Sequence, residues 1–264
     1  MAELVGCREW ILGGGAQLHD CCLSIEFLIT AWRAWYSGIS ELSDWQRWRC
    51  EKVLPAGEGQ ADVSFLTAMQ RRRLSPLSKA ALHAAYPLIK HRDIPLLCCS
   101  VHGESVRTHS LLKSVAAGED LSPTAFGLSV HNAVAGQLSI LCSVQSPALA
   151  LAGGDFPLLA GLLEAAGILR DGAEELLLIF YEEPLPEMYQ SSAQSPTHIC
   201  VTTMRLSKGT NAQGKKSALV SSTGTKIESA FEAPDYQLPL ISALIEGSGV
   251  VPLGQGWELH LNAA

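Results

Sequence analysis

The chain has 264 residues, 47% of them hydrophobic and 17% charged, with a formal net charge of −7. That is enough for one large core or two small ones, and the low charge leaves apolar surface to bury internally or against a partner. The acidic balance argues against a nucleic-acid groove, which needs a basic patch facing phosphates, and no uninterrupted apolar run of about 18 residues suggests a membrane span.

At the start, Arg8 and Glu9 stand beside Trp10 ahead of the glycines at 13–15, which is not the order of a signal peptide. Residues 1–23 read either as an N-terminal arm or as an over-extended start. The eight cysteines form no C-x-x-C pair and no regular framework, which points to reduced thiols and a cytoplasmic setting. His19, Cys21 and Cys22 lack a fourth ligand, so neither a metal nor a cofactor is expected.

Residues 23–36 read as a first strand. Trp32, Trp35, Trp45 and Trp48 follow closely, a density that fits either core packing or a protein interface. Residues 55–60 form a loop. Arg71, Arg72 and Arg73 make a short basic cluster, read as a solvated helix face. Ser75 then caps a helix with Pro76 in its first turn, and residues 78–88 continue it as a packed, Ala-rich helix carrying His83 at its boundary. Residues 94–101 form a buried strand with His102, Gly103 and Glu104 at its carboxyl end, where α/β proteins tend to place function. A His and a Glu there serve either acid–base chemistry or loop hydrogen bonding, and the loop role is preferred. A helix runs on through residues 111–117.

The central stretch is residues 126–183. Residues 126–141 read as one helix, with small residues at Ala133, Ala135 and Gly136 for close packing. Pro147 opens the apolar run 148–152, expected as a strand buried on both faces. Gly153 and Gly154 permit a tight turn. Asp155 stands at the N-cap position of a helix over 156–169, and residues 176–181 form a second buried strand stopped by Glu182, Glu183 and Pro184. A strand, a strained turn and a helix start together present one exposed residue near a partial positive charge. Here that residue is a carboxylate, a poor acyl acceptor. Downstream, strands are expected at 197–206, 218–222 and 256–261, a polar turn at 208–216, and a helix at 238–245 ending at Gly247.

The run Asn132-Ala133-Val134-Ala135-Gly136-Gln137-Leu138-Ser139-Ile140, followed by Ser146-Pro147 and the elbow, resembles the N-terminal half of β-ketoacyl synthases of the thiolase fold. Leu74-Ser75-Pro76-Leu77-Ser78-Lys79, Val101-His102-Gly103-Glu104, Leu121-Ser122-Pro123-Thr124 and Leu128-Ser129-Val130-His131-Asn132-Ala133 are similar to the short ketosynthase-like proteins of aryl polyene pigment clusters. The resemblance covers residues 25–187. It implies an α/β, thiolase-like (ketosynthase) fold layered αβα: a ketosynthase-like N-terminal half over 24–187, and a truncated C-terminal part over 188–264 packed on the same sheet.

In that family the elbow carries the acylated Cys, and counting from Ser146-Pro147 its position falls on Asp155. The second half of a complete synthase, with its two catalytic histidines, has no counterpart here, and His198 and His260 follow no family motif. The resemblance therefore implies a chain-length-factor-like subunit with no catalytic residue of its own. Its partners would be a catalytic ketosynthase, as a heterodimer, and an acyl carrier protein bearing the chain. Phe126, Leu128, Val130, His131, Asn132, Pro147, Leu149, Leu151, Asp155 and Phe156 would face the acyl tunnel or the dimer interface, with His131 and Asn132 pinning the helix. Two alternatives stay open: a condensing enzyme using Asp155 as base and Cys142 or Cys99 as displaced nucleophile, and a stand-alone scaffold that binds acyl chains.

Overall fold

Residues 176–181, Leu-Leu-Leu-Ile-Phe-Tyr, have no exposed surface at all, and their side chains divide between two cores. Alternation along a strand sends successive side chains to opposite faces, so a strand apolar at every position needs a cover on both. A computed structural model supplies both covers; it describes residues 23–39, 41–51, 53–54, 59–209, 214–221 and 235–262. The arm expected at 1–23, apart from Leu23, and the His19, Cys21 and Cys22 group lie outside these residues, as does most of the 55–60 loop.

In chain order the elements are β1 (Leu23–Tyr36), α1 (Leu42–Glu51), α2 (Ala68–Arg73), α3 (Pro76–Ile89), β2 (Leu96–Cys99), α4 (Ser105–Ala116), α5 (Pro123–Gly127), α6 (Ala133–Cys142), β3 (Ala148–Leu151), α7 (Pro157–Arg170), β4 (Glu175–Glu182), β5 (Cys200–Ser207), β6 (Lys215–Ser221), α8 (Gln237–Glu246), β7 (Gly249–Gly254) and β8 (Trp257–Leu261). Among the described residues the strands form one eight-stranded sheet in the order β3-β2-β4-β5-β1-β6-β8-β7. β3, β2 and β4 are parallel, and every other neighbour is antiparallel.

Leu97, Cys99, Leu176, Leu178 and Phe180 pack under Leu158, Leu162 and Ala165 of α7. On the other face Leu96, Cys98, Leu177, Ile179 and Tyr181 meet Leu77, Ala81 and Ala84 of α3 and Val134 and Leu138 of α6. Each buried Leu or Ile contributes about 2 kcal/mol. Helix α7 sits close to the sheet because position 161 is Gly: a Cβ there would lie 2.6 Å from the Phe180 ring and 2.9 Å from the Cys99 sulfur. β1 is long enough to serve two partners. A bulge at Thr30 lets its first half pair with β6 and its second with β5. The sheet then curls until β7 returns to α7, where Gly254 lies against the Phe156 ring.

Three elements differ from expectation. The single helix over 126–141 is two, α5 and α6, separated by a turn at 128–132. Tertiary bonds hold that break: His131 donates from Nε2 to the Ser100 carbonyl at 2.9 Å, and the Tyr181 hydroxyl donates to the His131 carbonyl at 3.4 Å. β3 is not buried on both faces but is the edge of the sheet, with Leu149 38% exposed. Ala150 and Leu151 are half-buried against the two cores, but Ala148 and Leu149 stay exposed among the described residues. β7, whose Gly and Pro content hides a strand pattern, had no counterpart in the sequence reading. The tryptophans fill cores: Trp45 donates to the Ala34 carbonyl and meets Trp48 edge-on, and Trp35 joins the α3 side.

Gly161→Val overpacks the α7–sheet contact and should cost about 2 kcal/mol. The check is the urea midpoint, which falls with an unchanged slope.

Candidate functional site

The elbow is built as the turn residues require. Gly154 has φ +56, in the left-handed region, and a Cβ on Gly153 would run into the Pro157 backbone. Pro157 opens α7 at a position that needs no N–H. Asp155 is exposed at the tip. It is not the N-cap: Phe156 holds that position, and no side chain caps the helix. The physical reason is Pro157, which fixes the first helical residue one step later than the apolar pattern implied.

On α5, α6 and β3 apolar groups are left exposed. Phe126 on α5 is 59% exposed and Ile140 on α6 is 79% exposed. Pro147 and Leu149 are exposed, and Leu128, Val130, His131 and Leu151 are half-buried. Asn132 is the exposed N-cap residue of α6, without a side-chain cap bond. Phe156 points the other way, into the core beside Gly254, and so does not join this surface. Of the remaining residues expected at a tunnel or interface, Phe126 lies on α5, Leu128, Val130, His131 and Asn132 in the turn before α6, Pro147, Leu149 and Leu151 at β3, and Asp155 at the elbow.

Four of the described thiols, Cys98, Cys99, Cys142 and Cys200, are poor nucleophiles, whereas Cys50 on α1 is exposed. Burial pushes Cys98 up to about 12 and Cys142 up to about 11, and holds Cys99 and Cys200 well above the ordinary thiol range. Cys99 also lies beneath Gly161. His198 bonds Tyr36 and Thr197, and His260 pairs with Glu258, so neither faces the elbow loop's Asp155 through any hydrogen bond. Among the described residues no group of His, Cys, Asp and Glu could hold a metal ion, and no helix is long and apolar enough to cross a membrane.

A second feature lies at the carboxyl ends of β2 and β4, where three buried carboxylates converge. Glu104 accepts from the Ser75 and Ser78 hydroxyls at 2.7 and 2.6 Å and pairs with Arg107 Nε at 3.1 Å. Glu182 accepts from the Val101 N–H at 2.6 Å, the Tyr236 hydroxyl at 2.9 Å and the Ser100 hydroxyl at 3.2 Å. Glu183 accepts from the Val106 N–H at 3.0 Å. Glu104 thus performs the loop-bonding role, while His102 bonds the Gln194 carbonyl. Glu182 and Glu183 were read only as strand stoppers. No local pattern marks them as buried: Glu182 is the last residue of β4 and Glu183 follows it, and their donors come from Ser100, Val101, Val106 and Tyr236, all distant in sequence.

The family model described as β-ketoacyl synthase, N-terminal domain, matches residues 45–252. The chain belongs to this family. Its fold is accordingly the thiolase-like α/β fold of a ketosynthase N-terminal domain. No curated protein matches the chain. Among solved structures, a chain of the ketosynthase ApeO in complex with its chain length factor ApeC, from Xenorhabdus doucetiae, is 26% identical with a TM-score of 0.71, over 89% of this chain and 99% of that one. The ishigamide ketosynthase/chain length factor matches at 14% identity and a TM-score of 0.62, over 74% of this chain and 65% of that one. A type II polyketide ketosynthase solved with its acyl-carrier protein and a hexaketide matches at 14% and 0.51, over 70% and 63%. These last two share the fold.

Burial holds the Glu182 carboxyl up at about 7 against the pull of its donors, from an ordinary value of 4.5. A carboxyl raised on folding stabilises the fold fully below about 4.5, and that contribution disappears as pH rises through about 7. Stability should therefore fall between pH 5 and pH 8, and Glu182→Gln should flatten the fall. Urea midpoints across that range check it.

Proposed function

We propose that the chain is a non-catalytic, chain-length-factor-like subunit that pairs with a separate catalytic β-ketoacyl synthase and shapes its acyl tunnel in aryl polyene biosynthesis. The observation that carries this reading is the elbow: it offers the Asp155 carboxylate where a condensing enzyme needs a thiolate, beside a strand that is the edge of the sheet among the described residues. Holding an acyl chain covalently requires a nucleophile of accessible pKa; burial raises Cys98 and Cys142, and neither of these nor the exposed Cys50 of α1 stands at the elbow. The similarity to a chain of the ApeO–ApeC complex, matched over nearly its whole length and therefore of similar size, supports the same reading. Unpaired cysteines fit a cytoplasmic assembly.

In this reading β3 aligns with the partner's equivalent strand, and its open N–H and C=O groups find their bonds there. Ile140, Leu149 and Phe126 are buried at the same time, and the α5–α6 turn fixed by His131 sets how far Phe126 projects toward the partner's tunnel. A bulky ring at that place limits the chain that fits. Ile140 is exposed in the free chain, so Ile140→Glu should fold normally but weaken assembly with the co-expressed ketosynthase at least tenfold, or about 1.4 kcal/mol, on size exclusion. Phe126→Ala should leave assembly intact and lengthen the product; unchanged product length would remove Phe126 from the tunnel.

The acyl carrier protein is the second partner. α2 contains no buried residue and presents Arg72 and Arg73 beside Met69, which is 70% exposed. This is a basic strip with an apolar centre on an otherwise acidic chain, complementary to an acidic carrier. Read from sequence as a solvated face, it serves here as part of the docking surface. Reversing both charges to Glu should weaken carrier binding to the assembled pair about tenfold or more at low salt and reduce its salt dependence; titration at two ionic strengths measures both.

A further inference from the structure

α4 and α5 contain no buried residue, an unusual state for 17 residues of helix in a chain this apolar. α4 packs chiefly against α5. Val106, Leu112 and Val115 are each about half exposed, at 48, 52 and 54%. The helix pair is therefore not held to the body by apolar burial. Its attachments are polar and gather at the first turns of α4. Glu183 Oε1 accepts from the Val106 N–H at 3.0 Å and the Ser105 hydroxyl at 3.4 Å. Arg107 joins Glu104 at 3.1 Å and donates to the Arg73 carbonyl at 2.7 Å. Thr108 donates to the Ser129 carbonyl at 3.0 Å, and the His109 ring meets the Tyr189 ring edge-on. The N-cap residue Glu104 makes no side-chain cap bond, so the free N–H groups of α4 are capped from outside, by Glu183 at the end of β4.

We propose that α4–α5 is a hinged arm latched to the body by the Glu183 carboxyl, and that ionising this carboxyl releases the arm and weakens assembly with the ketosynthase partner. The partner half of this inference rests on the proposed function; the latch does not. Two charged groups face Glu183. Glu104, before α4, opposes its ionisation, and Arg107, on α4, favours it. The contribution of α3 is the uncharged Ser75 and Ser78, bonded to Glu104. Glu182, next along the chain, is turned to Tyr236 and Val101. Burial dominates and holds the Glu183 carboxyl up at about 7 while the arm is docked. Released into water it returns to its ordinary value of 4.5. The docked arm thus binds the proton more tightly, and raising the pH favours release. Between pH 6 and pH 8 the opening equilibrium should rise about tenfold.

Hydrogen exchange on the full chain at both pH values, corrected for intrinsic exchange, measures this directly. The opening constant of the α4 amides should rise about tenfold while the β4 amides stay protected, and Glu183→Gln, which keeps an acceptor but cannot ionise, should abolish the rise. Equal corrected protection of α4 at the two pH values in the unaltered chain would overturn the latch, with no variant needed. The same rise in Glu183→Gln would also overturn it. The unaltered chain mixed with its ketosynthase should then bind more weakly at pH 8 than at pH 6. A complex of equal affinity at both pH values would overturn the coupling to assembly, whereas an arm that responds to pH with no complex at either value would leave the latch standing and contradict the proposed function.

Discussion

Everything in this fold follows from two short parallel strands that must be covered on both sides. Residues 96–99 of β2 and 176–181 of β4 send buried side chains to both faces, so α7 must lie on one face and α3 with α6 on the other. That demand fixes the helix layers and allows only Gly at position 161, where α7 crosses Phe180 and Cys99. It also pushes polar chemistry to two places. One is the carboxyl end of the strands, where Glu104, Glu182 and Glu183 collect the donors of the departing loops. The other is the edge of the sheet at β3, which among the described residues has one neighbouring strand, β2.

These two places are joined. Ser100 donates to Glu182 through its hydroxyl, accepts the Gly103 N–H, and offers its carbonyl to His131. His131 holds the break between α5 and α6, and that break decides where Phe126 stands. A buried carboxylate at the end of a central strand therefore helps set the shape of the exposed apolar surface several residues away in space. The antiparallel strands that follow β4 carry the sheet around until Gly254 closes on Phe156 at the start of α7. The elbow is thus braced from behind by the end of the chain, while Asp155 itself stays free at the tip.

Much of this was legible from the residues. The first strand at Leu23–Tyr36, the Ser75 cap with Pro76, and the Gly153–Gly154 turn each rest on local chemistry that tertiary packing did not override. The misses share a different cause. Residues 126–141 are helical by composition, but His131 and Tyr181 make long-range bonds that no local pattern reveals. The run 148–152 is apolar enough for a buried strand, and sequence alone cannot say whether its cover comes from the same chain or another. Asp155 fits a cap until Pro157 is given its fixed position. Glu182 and Glu183 resemble a strand terminator because burial of a carboxylate depends on donors brought from Val101, Tyr236 and Val106, all distant in sequence.

The central claim is that condensation needs a thiolate at the elbow, where this chain presents Asp155. Intact-protein mass spectrometry of the chain and its ketosynthase partner, each alone and then together, after exposure to an acyl-carrier thioester, tests it most directly. The account predicts an acyl mass increment on the partner and none on this chain in either setting. An increment on this chain, mapped to any of its cysteines and chased by an extender unit, would contradict it.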